Sequence, residues 1–136
     1  MLYVISKAIV TQYNTLTYGG SPISDTAKLY DGQSSDTKAY PFSQYNLLDT
    51  TFDFDFCNNI PSELFQITIF DNQPSSARVM NVADTIYEGF QNATLTVDGY
   101  TFIAIYPVSL NRIQVPDDDG WQVTIGFSME IQKART

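Results

Sequence analysis

With 136 residues, 43% of them hydrophobic and 16% charged, the chain is long enough for one hydrophobic core and too apolar for a disordered protein. No apolar run approaches the ~20 residues of a transmembrane span, and a net charge of −8 with a sequence pI of about 4.1 argues against tight binding to a polyanion. There is no histidine, one cysteine and no glycine-rich phosphate loop, so the side chains most used for nucleophilic, metal or nucleotide chemistry near neutral pH are missing; neither a catalytic set, a metal nor a cofactor is expected.

Leu2, Ile5, Ala8, Ile9, Gln12, Tyr13 and Leu16 recur at spacings of three and four, which predicts a helix over 2–14. The same N-terminus lacks the basic start and small-residue cleavage site of a signal peptide, so a cytosolic origin is expected. Gly19-Gly20-Ser21-Pro22 breaks the periodicity, and Ala27 to Tyr30 forms a short strand ended by Asp31-Gly32. The polar stretch 31–41 reads as a mobile loop. Phe42 to Asp49 is the next strand, its mixed alternation pointing to edge exposure or a bulge. Thr51 to Phe56 is a cleaner one, with Phe52, Phe54 and Phe56 on one face and Asp53 and Asp55 on the other. Cys57, beside Phe56 and two asparagines, has no basic neighbour in sequence and reads as a structural thiol.

Glu63 to Asp71 alternates again and is expected to be a central strand. After the turn at Asp71 to Ser76 a serine hydroxyl can cap a helix over 75–91, whose apolar stripe is Val79, Met80, Ala83, Ile86, Tyr87 and Phe90. Thr94 to Val97 and Tyr100 to Val108 are expected to form a hairpin around Asp98-Gly99, with the positive φ angles of a type I′ turn. Leu110 to Val115 then pairs antiparallel with a last strand, Trp121 to Lys133, across the acidic turn Pro116 to Gly120. This order of elements, without a repeated β-α-β unit, predicts a single α+β domain over 1–136: a mainly antiparallel β-sheet with two helices packed on one face. Several strands carry apolar residues on both sides, Leu64 and Phe70 against Ile67 and Ile69 for example, and packing between subunits accounts for that.

The remaining polar clusters each have a bland reading. Asp53 and Asp55, one strand period apart and about 7 Å between Cα atoms, have the pairing used in glycoside hydrolysis or Mg²⁺ and Ca²⁺ binding, but exposed acids on a strand are more often simply solvated. Asp117-Asp118-Asp119-Gly120 lacks the further ligands of an EF-hand loop. Asn92-Ala93-Thr94 is a chance glycosylation sequon in a cytosolic protein. Trp121, after a turn and at a strand start, suits a core or subunit contact.

The order and spacing of Phe70-Asp71-Asn72, Ser75-Ser76-Ala77, Leu95 to Tyr100, and Pro116 to Trp121 leading into Phe127 to Ile131 resemble the tail-terminator and tail-completion proteins of long-tailed bacteriophages, over roughly Lys28 to Lys133. Asp31-Gly32, Tyr40-Pro41 and Asp119-Gly120-Trp121 stand where that family has a strand end, a Tyr-Pro pair after a long loop, and an Asp-Gly-Gly-Trp-like turn. The departures are the glycine-rich stretch Gly19 to Asp25 and a single glycine before the tryptophan. The resemblance implies a non-catalytic virion protein, located in the tail or neck and assembled in the host cytoplasm. Its subunits form a homo-oligomeric ring, commonly a hexamer, at the head-proximal end of the tail tube, where it ends tube growth and meets the head-completion or neck proteins. Genomic DNA passes such a ring without specific binding, and no membrane is involved. Asp31, Asp36, Tyr40, Pro41, Asp117, Asp118, Asp119 and Trp121 are the candidates for interface or channel-facing positions, with the acids as a wall that repels the duplex. The reading from another class is a monomeric α+β binding module, or a small hydrolase using Asp53 and Asp55.

Overall fold

A computed structural model describes residues 1–31, 39–54, 59–91, 93–115 and 120–133. Helix α1 spans Leu2–Asn14 and buries Ile5, Ala8, Ile9 and Tyr13, the stripe its periodicity predicts. It ends where the Thr15 and Leu16 amides donate to the Gln12 and Tyr13 carbonyls, both at 3.1 Å. A two-stranded ribbon follows, β1 (Thr17–Tyr18) and β2 (Ser21–Pro22). Gly19 and Gly20 between them adopt φ of +63° and +82°. Two consecutive positive φ angles are what a tight two-residue hairpin requires, and glycine supplies them without a Cβ clash. A 3₁₀ turn, Ile23–Asp25, seats Ile23 and Ala27 in the core.

The main sheet has five strands in the order β3-β4-β5-β7-β6: β3 (Lys28–Asp31), β4 (Phe42–Phe54), β5 (Asn59–Asp71), β6 (Tyr100–Val115) and β7 (Gly120–Lys133). All neighbours are antiparallel except β3 and β4, which run parallel over Lys28–Asp31 and Phe42–Tyr45. The fold is α+β as expected, and β5 is the central strand.

Besides β5, which begins at Asn59 rather than Glu63, four boundaries differ from the sequence reading, two of them because tertiary pairing carries the ladder through a local interruption. The first strand starts at Lys28 rather than Ala27, which is buried. The two strands expected over Phe42 to Phe56 are one, since β4 stays paired with β5 through Thr50, opposite Glu63; the irregular alternation is a bulge between Leu47 and Asp49. Tyr100 to Val115 is likewise one strand rather than two, with register shifts between Phe102 and Ala104 and between Pro107 and Ser109. Pro107 is tolerated there because β6 is an edge strand, whose outer side needs no ladder donors.

The fourth difference is the hairpin at Asp98-Gly99. The turn exists, closed by the Tyr100 amide donating to the Val97 carbonyl at 3.0 Å, with Gly99 at φ +81°. Its first arm is not a strand: residues 93–97 join no ladder, and Leu95 and Val97 are buried in the common core instead. Ala8, Thr11 and Gln12 of α1 and Thr15 just after it line a cavity of about 220 Å³ together with Thr94, Leu95 and Thr96.

Helix α2 (Ala77–Phe90) buries Val79, Val82, Ala83, Ile86 and Phe90. Met80, expected in the stripe, is 38% exposed, and Val82 takes a core position instead. The expected serine cap comes from one residue earlier than the cap position: Ser75 Oγ accepts from the Ala77 amide at 3.2 Å. The helices cover the face of the sheet that carries Phe65, Ile67 and Ile69 of β5 and Val123, Ile125, Phe127, Met129 and Ile131 of β7. At its centre Phe65 and Phe127 stack at 5.4 Å between centroids, and Phe90 packs on Phe127 at 5.3 Å.

Tyr13 ties α1 to this layer. Its hydroxyl donates to the Ala27 carbonyl at 2.6 Å and shares a 3.0 Å hydrogen bond with Ser43 Oγ of β4. Burial pushes the phenol up to about 12. Tyr13→Phe leaves buried polar partners unsatisfied and is expected to cost about 1–3 kcal/mol in urea denaturation. Because the folded-state value lies above the ordinary 10.0, wild-type stability is full below pH 10 and falls as the pH rises through the folded value. The phenylalanine variant lacks that contribution, so the gap between the two proteins narrows in alkali.

Candidate functional site

The residues singled out from the sequence fall in separate places. Asp31 ends β3, is exposed, and lines a groove of about 320 Å³ with Tyr3, Ser6, Lys7, Thr11 and Tyr45. Tyr45 beside it has its phenol raised, chiefly by burial, with Asp31 adding to the rise and Ser6 offsetting part of it. Tyr40 and Trp121 come together at the other end of the sheet, lining a small cavity of about 120 Å³ with Phe70, Asp71, Asn72 and Gly120. Pro41 is buried and joined to Tyr40 by a cis peptide bond. The Tyr40 ring packs on Phe42 at 5.3 Å, and Phe42 stacks on Phe70 at 5.0 Å. Asp36, Asp117, Asp118, Asp119, Asp55, Cys57, Asn92 and most of the expected mobile loop 31–41 lie outside the described residues.

Trp121 is a structural anchor at this end. Its indole N–H donates to the Pro74 carbonyl at 2.9 Å, holding the turn before α2 against the start of β7. Arg112 of β6 sits 5.1 Å above its ring, a cation–π contact. Gly120 is required for a different reason: a Cβ there would lie 2.2 Å from the Asp71 carbonyl oxygen, so only glycine lets β7 start this close to the end of β5.

Two polar sites escaped the sequence reading. Asp71 is buried, and Arg78 binds it through both carboxylate oxygens, Nε to Oδ2 at 2.9 Å and Nη2 to Oδ1 at 2.5 Å. The Asn72 amide adds a bond to Oδ1 at 2.8 Å. The carboxylate hydrogen bond raises the Arg78 guanidinium further above its ordinary value. The seven-residue separation across a turn is a weak sequence signal, because it is not a spacing within one element.

Glu63, on the covered face, is only 1% exposed and accepts a hydrogen bond from the Thr50 hydroxyl across the ladder. Burial raises its carboxyl above the ordinary 4.5, the Thr50 bond offsets part of that, and Asp49 adds to it. An acid with a raised folded-state value favours folding most when protonated, so its contribution is lost as the pH climbs through that value. Glu63→Gln is therefore expected to melt higher than wild type at pH 7, with the difference closing near pH 4; a pH-independent difference contradicts the assignment.

The outer surface of the sheet is of another kind. Across β4, β5 and β7 the uncovered face pairs Gln44 with Thr68 and Asn46 with Gln66, and Thr68 with Thr124 through their hydroxyls at 3.2 Å. The edge strand β6 exposes large apolar side chains among its polar ones: Ile103, Tyr106, Val108, Leu110 and Ile113 are all exposed, Leu110 by 61%, interleaved with the exposed Thr101, Ser109, Asn111, Arg112 and Gln114. An exposed apolar edge strand is the feature that soluble monomers avoid, since its unpaired backbone and side chains invite another chain. Among the described residues no helix is long and apolar enough to cross a membrane, and no three His, Cys, Asp or Glu side chains gather as a metal site.

No protein-family model and no curated protein matches this sequence. Among solved structures, a chain in the virion of a native gene transfer agent particle superposes with a TM-score of 0.79 at 13% identity, over 94% of each chain. The likeness shows the fold. It covers helices and sheet together, almost end to end in both chains.

Proposed function

We propose that this chain is a non-enzymatic structural subunit of a phage-like virion, and that it assembles as a ring at the head-proximal end of the tail tube, ends tube growth and joins tail to head. The observation that carries the reading is the superposition on a virion chain over 94% of both lengths. The apolar edge strand β6 supports assembly, because a closed ring needs two different contact patches on every subunit. The net charge of −8 suits a passage that duplex DNA must traverse without sticking, and the exposed Asp31 is the described member of the acidic candidates for that wall. Its partners are further copies of itself, the tube protein and the neck proteins; neither a cofactor nor a membrane enters the mechanism.

The test is end-labelling. Gold-tagged protein added to purified headless tails that lack it should decorate one end of each tube in negative-stain images, and tails so capped should gain the capacity to join heads. Label spread along the tube wall, or no label at all, would remove the terminal role.

A further inference from the structure

The two edges of the main sheet carry features that complement one another. At the β6 edge a groove of about 410 Å³ runs between α2 and β6. Ala83 and Val123 line it, with the exposed Met80 and Leu110 beside them and Arg112 on the β6 wall. The Arg112 guanidinium is held at this position by the Trp121 ring below it, 5.1 Å away, and its Nη1 lies 3.3 Å from Met80 Sδ. Asp84 lies on the helical wall of the same groove.

At the opposite edge, β3 pairs with β4 only as far as Tyr45. Just beyond that point comes the β4 bulge, where Leu47 pairs with Phe65 and Asp49 with Leu64, leaving Leu48 as the extra residue. Leu48 is 50% exposed and the next residue, Asp49, is exposed as well. A bulge re-aims side chains where a ladder would otherwise run straight, and here it sets an apolar knob beside a carboxylate.

We propose that Leu48 and Asp49 of one subunit dock in the α2–β6 groove of the next copy of this chain, Leu48 against Met80 and Leu110 and Asp49 against Arg112. The contact joins two different patches, so it is heterologous and propagates around a ring. It rests on the ring reading above and names the surfaces that build the ring. Charge complementarity selects the occupant: a groove with a fixed guanidinium on one wall and apolar side chains around it fits a leucine followed by an aspartate, and the same chain presents that pair at its other edge.

The experiment compares wild type with Asp49→Arg, Arg112→Glu, the double exchange and Leu48→Ser, by light scattering over a range of concentrations, with thermal melts to check folding. Each single reversal is expected to raise the concentration for half-assembly by about tenfold or more, and the double exchange to restore most of it. Leu48→Ser should weaken assembly while melting like wild type. Single reversals that assemble like wild type overturn the contact but leave the ring reading standing, because end-labelling of tubes does not depend on them. Loss of assembly in the singles without recovery in the double also overturns it. A wild type that stays monomeric at every concentration, with tube protein present as well, removes a second copy as the occupant.

Discussion

Phe127→Ala is expected to lower the stability of the fold by about 3–5 kcal/mol, the cost of emptying a fully buried aromatic site. Phe127 has no exposed surface and stacks on Phe65 from the neighbouring central strand while Phe90 of α2 packs on it. The loss therefore includes both the transfer of the ring to water and the contacts between sheet and helix that surround it. Domains of this size have about 5–15 kcal/mol to lose, so a large fraction disappears in one substitution. Urea denaturation followed by far-ultraviolet dichroism reads it as a lower midpoint with little change in slope. A loss below about 1 kcal/mol would mean that the three rings do not form the centre of the core.

Arg78→Met is expected to have the second-largest effect. The Asp71 side chain is fully inaccessible, and without Arg78 it keeps a buried charge with the Asn72 amide as its remaining donor among the described residues. Stripping one partner from a buried ion pair costs about 3–5 kcal/mol. Arg78 itself is 35% exposed, so solvent screens part of the interaction and the expected loss is about 2 kcal/mol. Arg78→Lys should recover only part of it, because a single ammonium cannot reproduce the two-pronged contact with both carboxylate oxygens. The pair ties the end of β5 to the first turn of α2, so amide exchange near the α2 N-terminus should accelerate before global unfolding does. A lysine variant as stable as wild type would show that charge alone, rather than the fork geometry, holds this corner.

The fold was legible where periodicity was long and uninterrupted. Ile5, Ala8, Ile9 and Tyr13 mark one buried stripe of α1, and Phe65, Ile67 and Ile69 mark the covered face of β5. The expected antiparallel partnership of Leu110 to Val115 with the last strand is present from Leu110↔Ile125 to Val115↔Gly120. Legibility failed where tertiary pairing overrides local signals. Thr50 reads as a break yet sits opposite Glu63 in a continuous ladder, and the parallel β3–β4 pair has no local signature because its partners are not adjacent in sequence. The hairpin chemistry of Asp98-Gly99 was read correctly as a turn, but nothing local to it tells whether residues 94–97 pair in a ladder or bury Leu95 and Val97 in the core.

The candidate site was less legible than the fold. Tyr40 and Trp121 do share a cavity although 81 positions separate them in the chain, whereas Asp31 faces a different groove. The groove walled by Met80, Leu110 and Arg112 was invisible because the alternation of β6 is interrupted by two register shifts, so a period-two reading cannot say which of its residues share a face. The spacing of Met80 alone points to the helix core, whereas it is 38% exposed beside that groove.

The central claim is that this chain assembles into a ring at the end of a tail tube. Light scattering of the purified protein at two concentrations, followed by negative-stain imaging of the large species, tests it most directly. The account predicts a discrete oligomer, alone or on addition of tube protein, that images as a closed ring with an opening wide enough to pass duplex DNA. A protein that stays monomeric at both concentrations and with tubes present would contradict it.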